Sequence, residues 1–381
     1  MALADLLLGL VTVWLAAKLA GEAMERIGQT AVLGELLAGV LVGPGVFGLV
    51  RESEILHALA EIGVIILLFE IGLESDLGEL LRAGLQSTVV ALVGIACPFV
   101  LGYGLAIWWG KATIVAVFIG ATLTATSVGI TARVLADLGR LQEAASRVVL
   151  GAAVLDDVLG LVILAVVTGL VETGAFSFAT VGLILGKALI FLVLAIALGI
   201  RFAPALLTWV GRMRARGSLI VYAVLFGVLL AALAERIGLA AIIGAFAAGL
   251  ILARTEPRAH IEEQLKPVAD LFVPVFFVTV GMKVDPAALN PFADGGLRFA
   301  LLLTAVAVLS KLAAGLGVYQ RDVRRWPVAV GMVPRGEVGL IFAGIGLANH
   351  VIEENLYAGL ITMVMASTFI VPPWLKALYR R

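Results

Sequence analysis

From Ser146 to Val171 the chain reads SRVVLGAAVLDDVLGLVILAVVTGLV, an apolar run interrupted near its middle by two adjacent aspartates, Asp156 and Asp157. About 20 such residues cross the ~30 Å hydrocarbon core of a bilayer as a helix. Even the mildest scale charges roughly 2.5 to 3.5 kcal/mol for an aspartate at mid-membrane, so this helix is confined to a bundle interior where the pair faces protein or water, and the pair marks a functional site. Neighbouring residues on a helix point about 100° apart. The two carboxylates therefore need different surroundings.

The remainder of the chain supplies such a bundle. It is 62% hydrophobic and 14% charged over 381 residues, with a mean hydropathy of +1.11, far more apolar than a soluble domain. The fold expected is an all-α polytopic membrane protein. A net charge of zero leaves no basic face for nucleic acid. Cys97, the single cysteine, excludes an intrachain disulfide framework, and His57, His260 and His350 are scattered without metal-ligand spacing. No cofactor is expected, and no enzymatic activity.

Hydropathy predicts thirteen transmembrane helices, near 4–23, 30–49, 58–74, 86–109, 112–136, 147–172, 178–202, 217–237, 239–254, 266–284, 297–319, 325–349 and 355–377. The first lacks a basic leader and a small-residue cleavage site, so it reads as a span. Two amphipathic connectors are expected, Glu79 to Leu85 and Ala205 to Arg216. With the N-terminus outside, the inner loops and C-terminus hold 17 Lys and Arg residues and the outer loops 5, which predicts N-out and C-in by the positive-inside rule.

The chain also repeats itself. Gly34, Ala38 and Gly39 recur as Gly244, Ala248 and Gly249, and Val128-Gly129-Ile130 recurs as Val338-Gly339-Leu340, both at an offset of 210 residues. Gly72 with Asp76 matches Gly281 with Asp285 at 209. One shared offset across three separated places indicates an internal repeat. Because it equals seven spans, an odd number, spans 1–6 and 8–13 face opposite ways. Two inverted six-helix repeats joined by one span form a plan of secondary transporters, whose sites lie where matching discontinuous helices meet at mid-membrane.

Spans 5 and 12 are that matching pair. Span 12 contains Pro334, Arg335, Gly336 and Glu337; Pro334 lacks an N–H and Gly336 is permissive, so an unwound segment is predicted there. Arg335 is expected beside the negative end of the first half-helix and Glu337 beside the positive end of the second. In span 5, Thr126 and Ser127 are placed to cap the second half-helix and to offer hydroxyl oxygens to an ion. Lys311, central in span 11, is the cation expected to pair with a mid-membrane aspartate, relieving two charge penalties together. It either carries a proton or only holds spans together. Glu35, Glu61, Glu70, Glu74, Lys18 and Lys187 read as snorkelling or funnel-lining groups near span ends, and Arg133 fits either role.

Together LGELLAGVLVGP, AAVLDDVLGL, TATSVGITARVL, Lys311 and PRGEVGL resemble the bacterial monovalent cation:proton antiporters, closest to the NapA-type sodium/proton antiporters, over nearly the whole chain. The resemblance implies exchange of sodium or lithium for protons by alternating access in the cell membrane. It implies that Asp157 binds cation and proton in turn, with Asp156 and Asp157 as transient sodium ligands, that Asp156 pairs with Lys311, and that Thr126 and Ser127 lie at a crossover. It also implies a homodimer in the lipid bilayer. Residues 1–85 and 217–284 would form the dimerisation scaffold, 86–172 and 297–377 the moving core, and 178–216 the link. Exchange with more protons than cations moving is expected if Lys311 releases a proton. Sodium against potassium stays open, as does a sodium-coupled symporter on the same architecture. An intramembrane aspartyl protease is disfavoured, since its two aspartates come from two helices and here they are neighbours on one.

Overall fold

The computed structural model describes residues 3–173, 178–213, 215–283 and 296–380. Among these, every regular element is helical. The first half comprises α1 (Leu3–Arg26), α2 (Ala31–Val42), α3 (Glu54–Glu74), α4 (Leu77–Trp108), α5 (Thr113–Thr122), α6 (Val128–Asp137) and α7 (Ala144–Thr173). A long α8 (Phe178–Gly211) leads to α9 (Ser218–Arg236), α10 (Ala241–Leu252), α11 (Arg258–Met282), α12 (Gly296–Leu312), α13 (Arg325–Gly331), α14 (Glu337–Ala348) and α15 (Glu354–Tyr379).

The thirteen predicted segments fall on these fifteen helices because the fifth and twelfth are each divided in two. Among the described residues, eight helices are by themselves long and apolar enough to cross a membrane. Neither amphipathic connector is a separate element. Glu79 to Leu85 is the first part of α4, and α8 continues past Pro204 to Gly211. The eleventh segment tightens into a 3₁₀ turn over Ala313–Gly317, where Gly315 lies against Ala329 and Gly317 against Val90. Asp285, Arg214 and Arg381 lie outside the described residues.

The helices pack as two groups. In one, α3 lies against α10 and α11, α2 against α1 and α11, and α9 against α10. In the other, α4 packs on α5, α7 and α12, while α15 packs on α12, α13 and α14. The half-helix α6 touches α2 and α3 of the first group and α7 and α15 of the second. Apolar side chains of α8, such as Leu189, Val193 and Phe202, point outward, as do Leu8, Val11 and Leu15 of α1. That is the exposure expected where lipid replaces water.

The repeat is visible in the closest helix contacts. A methyl group built on Gly39 would strike the Val278 carbonyl and the Gly281 backbone, joining α2 to α11; one built on Gly249 would strike the Phe69 carbonyl and the Gly72 backbone, joining α10 to α3. These two contacts exchange under the offset of about 210 residues. Likewise Gly34 meets the Ala20 carbonyl of α1, and Gly244 meets the Leu230 carbonyl of α9. Small residues at these positions let backbones approach, which is how helices gain packing where no hydrophobic drive separates them from lipid.

Candidate functional site

Two breaks in the helices build the site. Residues 123–127 between α5 and α6, and 332–336 between α13 and α14, are non-helical. The two segments cross: the Ser127 amide donates to the Pro334 carbonyl at 2.8 Å. A Cβ on Gly336 would come within 2.8 Å of the Ser127 Cβ, so only glycine allows the crossing to close. Helix ends leave carbonyls and amides unpaired, and in a membrane each must find a partner within the protein. Here side chains supply them. Thr122 Oγ1 donates to Phe118 O at 2.8 Å and Thr124 Oγ1 to Ala121 O at 2.7 Å, closing the last turn of α5. Thr131 Oγ1 donates to Gly331 O at 2.6 Å, and Thr368 Oγ1 to Arg335 O at 2.9 Å.

Both buried cations converge on the negative end of α5. Lys311, 0% exposed, donates from Nζ to Thr124 O at 2.5 Å, to Gly94 O at 2.7 Å and to Asp156 Oδ2 at 3.0 Å. Arg335, also 0% exposed, donates from Nη1 to Ala125 O and from Nη2 to Ala307 O, each at 2.8 Å. It was expected beside the end of its own half-helix, α13. It instead reaches across the crossing to the end of α5, because the long guanidinium fork spans the two backbones and can satisfy two carbonyls at once.

Asp156, 3% exposed, accepts at Oδ2 from both Lys311 and Thr126 Oγ1. Its Oδ1 is buried without a hydrogen-bond partner among the described residues. Asp157, 5% exposed, points another way on α7 and lies within the electrostatic reach of Lys311. Thr126 thus serves a carboxylate and does not cap α6. Ser127 occupies the N-cap position of α6 with no side-chain capping bond, its backbone being committed to Pro334. The Glu337 backbone opens α14, and its side chain lies outside what the structure describes.

The structure therefore brings Asp156, Asp157, Lys311, Thr126, Ser127, Pro334 and Arg335 to one buried place. Among the described residues no three His, Cys, Asp or Glu side chains form a metal cluster. A cation here would meet carboxylate and hydroxyl oxygens, a donor set that suits a hard ion. Sequence reasoning missed the backbone ligands of Lys311 and the Ser367-Thr368 pair of α15, which holds the Arg335 backbone. Two adjacent hydroxyls within an apolar span were the available signal.

Comparison with known proteins adds independent findings. A family model described as "Sodium/hydrogen exchanger, transmembrane" matches residues 11–381. The high-affinity Na(+)/H(+) antiporter NhaS3 of Synechocystis sp. is 42% identical, covering 99% of this chain and 90% of that protein. The Na(+)/H(+)-K(+) antiporter GerN of Bacillus cereus is 38% identical, covering 95% and 93%. A Na(+)/H(+) antiporter of Enterococcus hirae is 34% identical, covering 92% of each. Among solved structures, that of MjNhaP1, a sodium proton antiporter from Methanocaldococcus jannaschii, superposes with a TM-score of 0.68 at 18% identity over 97% of this chain and 98% of that one, a likeness of fold.

Proposed function

The chain belongs to the sodium/hydrogen exchanger family, a family of membrane transporters, and from that premise we propose that it exchanges sodium for protons across the membrane by alternating access. One observation carries the reading. Two buried aspartates stand beside the crossing of two broken helices, with a buried lysine held by one of them. In this account Asp157 binds a proton or a cation in turn, since a carboxylate that has taken a proton loses the charge that attracts the ion. Asp156 is oriented by Thr126 and neutralised by Lys311, and its Oδ1 supplies a further oxygen to the cation. The arginine and the threonines fix the crossing so that these oxygens hold their places.

The two helix groups support a division of labour. The group containing α1–α3 and α9–α11 acts as a scaffold and dimer interface, and the group containing α4–α7 and α12–α15 acts as the core that moves against it, with α8 linking them. The chain crosses the membrane thirteen times, N-terminus outside and C-terminus in the cytoplasm, by its distribution of Lys and Arg. The name of the Bacillus cereus relative favours a second reading, in which potassium also travels.

Proteoliposomes test both. The purified protein is reconstituted with an internal pH dye, and sodium, lithium or potassium is added outside. Proton movement on sodium addition supports antiport, a potassium response of equal size supports the second reading, and silence to all three ions overturns the proposal.

A further inference from the structure

A second set of charges lies away from the aspartate pair, where α6 meets the first helix group. Glu35 on α2 is 3% exposed, and its Oε2 has no hydrogen-bond partner among the described residues. The charged groups facing it are Arg133 and Asp137 from α6, Lys18 from α1 and Asp270 from α11. From α15, which also packs on α2, Arg380 reaches the Gly28 carbonyl just ahead of that helix. Glu70 of α3 also faces Arg133.

The cations in this set are already engaged. Arg133 closes on Asp137 of its own helix, Nε to Oδ1 at 3.0 Å. Lys18 lies 3.9 Å from Asp270, both well exposed, and Lys266 pairs with Glu262 at 3.1 Å. Among the described residues Glu35 forms no ion pair, so a buried carboxylate is left without a counter-ion of its own. Keeping such a group ionised costs several kcal/mol. A proton removes that cost.

We propose that Glu35 is a second proton-binding carboxylate of this protein, holding its proton in the arrangement seen here. Its position gives the proton a consequence. α6 begins at the crossing beside Thr126 and carries Arg133 at its middle and Asp137 at its end, so the spacing of Arg133 from Glu35 changes whenever α6 moves against α2 and α3. An approaching Arg133 displaces the proton; a receding one restores it. Glu35 thereby ties proton uptake to the position of the half-helix that carries the site. That link rests on the antiport reading, whereas the presence of the proton does not.

Infrared spectroscopy of the purified protein across a pH series reads the proton directly, without transport. The wild type should show a protonated-carboxyl C=O band at neutral pH that is lost in Glu35→Gln. In Arg133→Gln, where the competing cation is gone, the band should persist to a pH about one unit higher or more. Glu35→Gln replaces a protonated acid by a neutral amide of the same shape, so its melting temperature should match that of the wild type. Superimposable spectra of wild type and Glu35→Gln, or a band in Arg133→Gln that titrates as in the wild type, would overturn the proposal. If Glu35→Gln does not fold, Glu35→Asp takes its place: the shorter carboxyl should shift the band in frequency, and an unshifted band would overturn the proposal. Silence of the wild type in the sodium assay would defeat the antiport reading and leave the spectroscopic result standing.

Discussion

Replacing Lys311 by Gln tests whether the buried lysine and Asp156 act as one unit. Nζ holds three partners at 2.5, 2.7 and 3.0 Å, with neither side chain of the ion pair more than 1% exposed. Glutamine is one bond shorter and neutral, so it loses the carboxylate and reaches the Gly94 and Thr124 carbonyls poorly. Removing one partner of a buried pair costs roughly 3–5 kcal/mol, because the other charge remains buried. Thr126 still donates to Asp156, which places the expected loss near the lower bound. Asp156→Asn should cost less, since Lys311 keeps two carbonyls suited to an ammonium. The double variant removes both charges and should be more stable than the sum of the single losses predicts, by at least about 1.5 kcal/mol, within the range of groups in contact. Denaturant unfolding of the three purified variants and the parent, at one pH, gives the coupling. Additivity within about 0.5 kcal/mol would refute the pair. A stabilised Lys311→Gln variant that still transports then separates the two roles of the lysine. An unchanged voltage response makes it structural, and a lost one makes it a proton carrier.

Further outcomes follow from the packing and the donor set. Gly39→Ala and its repeat counterpart Gly249→Ala each press a methyl onto a facing carbonyl and should cost about 1–3 kcal/mol alike, while Gly104→Ala, with open space around it, should be neutral; thermal melting checks all three. Arg335→Lys keeps the charge but cannot reach both Ala125 O and Ala307 O, so melting should show a loss of about 1–3 kcal/mol for the carbonyl left unpaired. Calcium added in place of sodium should move few protons in liposomes, because a pair already half neutralised by Lys311 offers a divalent ion too little charge; a calcium response as large as that of sodium would contradict the donor set.

The parts of the fold that depend on depth and local chemistry were legible in the sequence. Long apolar runs place most of the helices, the proline and glycine of PRGEVGL place one break, and the offset of 210 residues points to the other. The aspartate pair and Lys311 were found because an ion in hydrocarbon needs a counter-ion, whereas the choice of Asp156 over Asp157 as the partner of Lys311 came from the family resemblance. What escaped depends on backbone atoms or on neighbours distant in the chain. The carbonyls of Gly94, Thr124, Ala125 and Ala307 carry no sequence signal, so the reach of Lys311 and Arg335 could not be read. Glu35 looked like a group near a span end, but α1 and α11 enclose α2 on both sides and bury it. Arg133 was left with two roles until the structure set it beside Asp137.

In the proposed exchange one carboxylate, Asp157, serves proton and sodium in turn. Its most direct test is sodium-driven proton flux through purified Asp157→Asn in proteoliposomes with an internal pH dye, beside the parent protein at equal incorporation. Asparagine is nearly isosteric but can neither ionise nor balance a bound cation. The variant should elute and melt as a folded protein and move no protons when sodium is added. Robust sodium-driven flux from that folded variant would contradict it and move the exchanging group elsewhere in the chain.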